Sequence, residues 1–209
     1  APWNVLAITF TNKAANELKE RLCALLGAAA QDVWAMTFHA ACCKILRKDI
    51  DRLGFTRSFT IYDTADSERV MKDVIREMGL DEKSFSSKFV LSIISKKKDC
   101  MIGPEEMLTE AESSSNVGLL HVAKAYKRYQ AKLRENNALD FDDIIFNTVV
   151  LLQNFDDVRT YYQRKFRYVL VDEYQDTNHM QYLLTSLLAG GYENLCVVGD
   201  DDQSIYRFR

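Results

Sequence analysis

Consecutive apolar runs stand at the two ends of the chain, and apolar residues at helical spacing fill its middle. The run Val5-Leu6-Ala7-Ile8-Thr9-Phe10 does not alternate with polar residues and predicts a short strand buried on both faces. Thr11-Asn12 then offers a cap. Ala14, Leu18, Leu22, Leu25 and Leu26 recur at helical spacing over Lys13 to Leu26, and Gly27 stops that helix. Val33 to Phe38 predicts a second strand, and His39 to Leu53 a helix ended by Gly54. From Asp63 the pattern becomes helical. Helices are predicted from Asp63 to about Met78, from Ser84 to Lys98, from Pro104, from Leu119 to Glu135, and from Leu139 to about Leu152. The polar, serine-rich stretch Glu110 to Asn116 reads as a loop, and Lys96-Lys97-Lys98 as a solvated helix face. Asp140 reads as an N-cap, with Asp143 completing a capping pair. Strand patterns return at Phe166 to Val171 and Leu195 to Val198, separated by a helix over Thr177 to Leu188.

Strand–helix alternation at both ends predicts an α/β fold with a parallel sheet. The long helical middle exceeds an ordinary crossover and predicts an inserted all-helical subdomain. The expected divisions are residues 1–40 and 166–209 for the sheet and 41–165 for the insertion.

Composition narrows the class. The chain has 209 residues, 47% hydrophobic and 27% charged, as in ordinary globular proteins. No apolar stretch reaches the roughly 20 residues of a membrane span. Residues Ala1 to Val5 lack the regions of a signal peptide, so a cytoplasmic location is expected. Five cysteines without a C-x-x-C pair predict reduced, structural thiols rather than a disulfide frame or zinc site. The net charge of −3 gives no support for nucleic-acid binding. Its distribution is informative: residues 166–209 hold three basic and seven acidic side chains, an excess that a metal ion would compensate.

Those acids cluster in two places. Val169-Leu170-Val171 ends in Asp172-Glu173-Tyr174-Gln175-Asp176-Thr177-Asn178, and Leu195-Cys196-Val197-Val198 ends in Gly199-Asp200-Asp201-Asp202-Gln203. Acids at the carboxyl ends of buried parallel strands sit where open α/β sheets bind ligands. In nucleotide-driven motors such an acid holds Mg²⁺, and a neighbouring residue orients or deprotonates the attacking water.

Five segments together resemble the UvrD/Rep/PcrA-type DNA helicases. Ile8-Thr9-Phe10-Thr11-Asn12-Lys13-Ala14-Ala15 resembles motif Ia and Thr37-Phe38-His39-Ala40 motif Ib. Leu139-Asp140-Phe141-Asp142-Asp143 is similar to the short acidic motif before motif II. The segments beginning at Asp172 and at Gly199, the latter running on through Ser204-Ile205-Tyr206-Arg207-Phe208-Arg209, resemble motifs II and III. The resemblance implies a RecA-like subdomain, 1A, carrying a helical insertion, 1B, and ATP-driven, Mg²⁺-dependent translocation on single-stranded DNA with unwinding at duplex junctions. Asp172 and Glu173 would serve the metal and the hydrolytic water. Gln203 would sense the γ-phosphate, and Arg209 would link nucleotide and DNA. Phe10, Tyr206 and Phe208 would stack on bases, and Thr11, Asn12, Thr37 and His39 would touch the strand. The residues alone also allow Phe10 as a core aromatic and His39 as a helix-start histidine.

No G-x-x-x-x-G-K-[ST] phosphate loop occurs in the sequence. The chain therefore reads as a fragment of a larger helicase, cut at both ends and inactive alone. Residues 195–198 are expected to form an exposed strand edge prone to self-association. Two other readings are a helicase–nuclease motor and a non-catalytic interaction module. The first carries G-D-P-x-Q at motif III, where this chain has Gly199-Asp200-Asp201-Asp202-Gln203; retention of Asp172, Glu173 and Gln203 argues against the second.

Overall fold

The computed structural model describes residues 1–200. In chain order its elements are β1 (Val5–Thr9), α1 (Asn12–Leu26), β2 (Trp34–Thr37), α2 (Phe38–Asp49), β3 (Thr60–Ile61), α3 (Thr64–Glu77), α4 (Ser87–Asp99), α5 (Pro104–Ser113), α6 (Val117–Glu135), β4 (Ala138–Leu139), α7 (Phe141–Asn154), α8 (Asp156–Lys165), β5 (Tyr168–Val171), α9 (His179–Ala189) and β6 (Leu195–Val197). They fall into two compact units: residues 1–50 with the chain from Asn147 onward, and residues 51–146. No helix among the described residues is long and apolar enough to cross a membrane.

The first unit is built on a parallel sheet of order β2-β1-β5-β6. Leu6 lies opposite Trp34 on one side and Val169 on the other, so the central strand is paired along both edges. Leu6, Ala7 and Ile8 are buried in succession, the unbroken apolar run of a strand covered on both faces. Ala7, Val33 and Ala35 face Val5 and the α1 residues Leu18 and Leu22. Phe38, Ala41, Ile45 and Leu46 of α2 are buried at the helical spacing that turns one face to the interior. Gly27 ends α1 at φ +60, and a Cβ there would meet no atom within 4 Å, so the requirement is for the left-handed backbone and not for space. Cys42 is buried, and burial pushes its thiol up to about 12, which suits a packing residue and not a nucleophile.

The second unit packs α3, α4, α5 and α6 around Met71, Val74, Val90, Ile94, Met107, Tyr126 and Tyr129. Asp63, Ser86 and Asn116 cap α3, α4 and α6 by accepting backbone N–H bonds from Asp66, Phe89 and Leu119. This unit departs from the sequence expectations in three respects. It is not all helix, because β3 and β4 form a two-stranded parallel ladder, Thr60 opposite Ala138 and Ile61 opposite Leu139. The segment 110–113 is helical, because Met107 and Ala111 bury one face of α5. The Thr109 and Ser113 hydroxyls donate to the Glu105 and Glu110 carbonyls, which keeps polar side chains compatible with a helix.

Lys98, third, is not solvated but fully buried. Its Nζ lies 2.7 Å from Asp140 Oδ2 and 2.8 Å from Asp143 Oδ1. The two acids cap α7 reciprocally, as their spacing predicts: Asp143 N–H donates to Asp140 Oδ1 and Asp140 N–H to Asp143 Oδ2. The Tyr129 hydroxyl donates to Asp140 and the Gln130 amide to Asp143. A lysine that leaves water needs this density of acceptors.

Residues 41–50 and 147–165, expected within the insertion, group with the sheet unit. The physical reason is that α2 packs on β1 and β2, and α8 on α9.

Candidate nucleotide and DNA site

Parallel pairing brings the carboxyl ends of β1, β2, β5 and β6 to one rim of the sheet. There β1 and β2 run into capped helices, and β5 runs into a tight turn. Thr11 Oγ1 accepts from Ala14 N–H and caps α1; Thr37 Oγ1 accepts from Ala40 N–H and caps α2. Both threonine hydroxyls are thus already committed to helix starts, and a DNA strand would share them. Phe10 is half-buried, its ring 5.2 Å from that of the fully buried Phe38. It joins the edge of the core while keeping one side open. Asn12 is exposed and His39 half-buried, on the first turns of α1 and α2.

The two acid-tipped segments are joined. Asp172 N–H donates to Ile8 O, carrying the β1–β5 ladder one step past Val171. Glu173 then adopts φ 53, ψ 42, a left-handed conformation that costs a residue with a Cβ about 1–2 kcal/mol. The turn it makes sends Tyr174 N–H back to Val198 O, so the loop after β5 is pinned to the end of β6. Gln175 completes the link. Its Nε2 donates to Glu173 Oε2, and its Oε1 accepts from Asp200 N–H at 3.1 Å. Asp172 Oδ1 accepts from Glu173 N–H, and both carboxylates are exposed to solvent.

Gly199 permits this closeness. A Cβ on it would lie 2.6 Å from Gln175 Oε1 and 3.3 Å from Gln175 N. If the acid-tipped loops serve ATP hydrolysis, as the motif II resemblance implies, Gly199→Ala in the whole protein is expected to free Glu173 from its amide donor and to slow that reaction by about tenfold, about 1.4 kcal/mol of barrier. The check is a double-mutant cycle with Gln175→Ala: the pair of changes is expected to cost no more than the worse single change. Full additivity would mean that Gly199 acts elsewhere.

One further atom at this rim was not singled out by sequence pattern. Thr9 Oγ1 is the only buried side-chain polar atom among the described residues without a hydrogen-bond partner. In the β1–β5 register Thr9 is level with Asp172, one step beyond the Ile8–Val171 pair. A threonine ending an apolar strand reads as a β-former, so its orphaned hydroxyl leaves no trace in the sequence. The capping box of α9, in which Asn178 and Gln181 exchange backbone bonds, also went unread. Gln203, Tyr206, Phe208 and Arg209 lie outside the described residues. Among the described residues no group of three or more His, Cys, Asp or Glu side chains surrounds a common point, so a metal held here would need ligands from its substrate.

Comparison with known proteins settles the lineage. The family described as UvrD/REP helicase N-terminal domain matches residues 1–209, the full chain. The chain belongs to this family. ATP-dependent DNA helicase PcrA of Bacillus subtilis (strain 168) is 51% identical over 209 residues, covering 100% of this chain and 28% of that protein. PcrA of Staphylococcus epidermidis (strain ATCC 12228 / FDA PCI 1200) is 48% identical over 209 residues, with the same coverage. PcrA of Staphylococcus aureus (strain NCTC 8325 / PS 47) is 48% identical over 212 residues, again 100% of this chain and 28% of the relative. The chain thus spans about 28% of the length of these curated relatives. The UvrD/REP assignment agrees with the partial parallel sheet, and with motif Ia, motif Ib and motif II each lying at the carboxyl end of a strand.

Proposed function

We propose that the whole protein hydrolyses ATP to move along single-stranded DNA and to part duplexes at junctions, in DNA repair or replication in the cytoplasm. The observation that carries this reading is the pinned pair of acid-tipped loops, with Gln175 bridging Glu173 and Asp200 at the carboxyl rim. A solvated turn or a plain helix cap has no use for that linkage, whereas a water-positioning carboxylate does.

In this reading Asp172 would hold Mg²⁺, with the remaining ligands coming from the nucleotide and water. The site suits that ion: Mg²⁺ keeps several waters and takes one or two carboxylates, and the orphaned Thr9 hydroxyl level with Asp172 supplies a partner for such a water. Bound Mg²⁺ would draw negative charge off the phosphates. Glu173, its carboxylate steadied by Gln175, accepts the proton of the attacking water. Gln203 and Arg209 complete the nucleotide side. Phe10, Tyr206 and Phe208 stack on bases, while Thr11, Asn12, Thr37 and His39 hold the backbone. Residues 51–146 form the inserted subdomain 1B. The chain alone, without a phosphate-loop sequence, is inactive. Leu195 to Val198, exposed on the outermost strand of the described sheet, offer an edge for self-association.

The test is ATP turnover by the whole protein with and without single-stranded DNA. Stimulation is expected, and its absence removes the motor reading. Phe10→Ala is expected to weaken single-strand binding about tenfold, since stacking on one aromatic is worth about 1–3 kcal/mol per base. Turnover without DNA and the melting temperature report any damage to the Phe10–Phe38 contact. Unchanged binding by a correctly folded variant would take Phe10 out of the DNA groove.

A further inference from the structure

The outer edge of the first unit carries four aromatic rings in a row. Trp34 meets Phe166 edge-on at 5.0 Å, Phe166 stacks on Tyr162 at 6.0 Å, and Tyr162 meets Tyr161 edge-on at 5.0 Å. Three ammonium groups lie along this row. Lys44 and Lys165 Nζ stand 4.2 and 4.3 Å from the centre of the Trp34 ring, and Lys48 Nζ stands 3.4 Å from that of Tyr161. Lys44 and Lys48 are four residues apart on α2 and share its face. None of the three has a carboxylate at ion-pairing distance among the described residues, although the chain as a whole is acidic. The crowding is electrostatically costly: partial burial and the neighbouring Lys165 and Lys19 ammoniums push Lys44 below the usual lysine range. Ring faces offset part of that cost, about 0.5–2 kcal/mol per cation, but they do not neutralise charge. Asp156 and Asp157 border a depression of about 580 Å³ beside Tyr161 and Lys165, and Asp156 is engaged by Arg159.

The row has a direction. It begins beside Trp34, at the start of β2, while α2 follows its cap Thr37, at the other end of that strand. Along α2, Lys44 and Lys48 lie about 8 Å and about 14 Å beyond His39 at 1.5 Å per residue. We infer that this edge is a second nucleic-acid contact, in which Lys44, Lys48 and Lys165 bind the phosphodiester backbone of a strand continuing past Thr37 and His39. The inference rests on the DNA reading of Thr37 and His39. Nucleic acid fits better than an acidic protein segment because Lys44 and Lys48 follow the α2 axis about 6 Å apart, close to a backbone interval, Lys165 of α8 joins them at Trp34, and Tyr161 leaves an exposed ring beside them for a base.

The experiment compares two oligo(dT) lengths in the whole protein, about 8 nucleotides to fill only the groove and about 30 to reach the edge. In the Lys44→Gln, Lys48→Gln, Lys165→Gln variant, the slope of log affinity against log salt is expected to shrink by about 2 for the longer strand, at roughly 0.7 per phosphate. The slope for the short strand is expected to hold, and circular dichroism and melting temperature check the fold. An unchanged slope on the long strand overturns the inference, as does an equal loss on both lengths. Polyglutamate that binds the parent and not the variant, with DNA binding unaffected, assigns the edge to an acidic protein and also overturns it. If neither oligonucleotide binds the parent protein, the DNA reading falls and takes this contact with it; if both bind and only the slope test fails, the DNA reading survives.

Discussion

Replacing Glu173 by Gln in the whole protein is expected to lower DNA-stimulated ATP turnover by about a hundred- to ten-thousand-fold, the usual worth of a positioned proton acceptor. Nucleotide affinity is expected to change little, because the amide keeps the size and the acceptor oxygen of the carboxylate. The geometry makes the substitution a clean probe. Glu173 is exposed, lies on a turn and is buried against nothing, so the folded state has little to lose. Its one side-chain partner, Gln175 Nε2, can donate to an amide oxygen as it does to the carboxylate. Single-turnover hydrolysis together with nucleotide titration separates the two effects. Turnover within threefold or so of the parent would return Glu173 to the role of a strand-end turn residue, and the conformational cost it bears would then be unexplained.

The second large effect concerns stability. Lys98→Met is expected to destabilise the 51–146 unit by about 3–5 kcal/mol, because it leaves Asp140 and Asp143 buried without their cation. Removing charge alongside it distinguishes this from lost packing: Lys98→Met with Asp143→Asn is expected to recover a good part of the loss. An identical loss in both would place the effect in side-chain volume. The same cluster sets a pH dependence. Burial opposes ionisation of both acids. At Asp140 the Lys98 ammonium, together with bonds from Tyr129 and Asp143 N–H, overcomes that and holds the carboxyl below the usual range. At Asp143 burial and the adjacent Asp140 charge win, and the carboxyl is pushed up to about 7. A raised folded value stabilises most below the unfolded value near 3.8 and loses that contribution as pH climbs to about 7. A depressed one stabilises above 3.8 and loses its contribution as pH falls. Denaturant midpoints of the unit are therefore expected to decline between about pH 4 and pH 7, and Asp143→Asn is expected to flatten that decline. A parent midpoint that rises over this interval would contradict the assignment.

The parts of the fold legible in the sequence were those with a local cause. Val5 to Thr9 forms a strand because its apolar run is continuous, Gly27, Gly54 and Gly79 close segments at positive φ, and Asp140 caps because Asp143 stands three residues on. What escaped has distant causes. Lys98 ends a run of three lysines that looks solvated, and only the approach of α7, some forty residues later, makes it interior. Thr60–Ile61 and Ala138–Leu139 are too short to declare themselves, and they pair across nearly eighty residues. The α8 helix lies in a polar stretch with few apolar positions, of which Val158 and Tyr162 suffice to bury one face. At the site, the residue types at Asp172, Glu173 and Thr37 were readable. The Gln175 bridge, the left-handed Glu173 and the orphaned Thr9 hydroxyl were not, because each depends on how close β6 and β1 come to the loop after β5.

The pairing of Val5 with Tyr168 has a bearing on the order in which this molecule is made. On a ribosome β1 and β2 are made close together, yet the partner on the other side of β1 does not exist until residue 168 has been added. The 51–146 unit, a compact body encoded by one unbroken stretch of chain, can fold meanwhile. The β1–β2 pair thus waits with one flank of β1 open until β5 is made, an interval in which a chaperone has something to offer this chain.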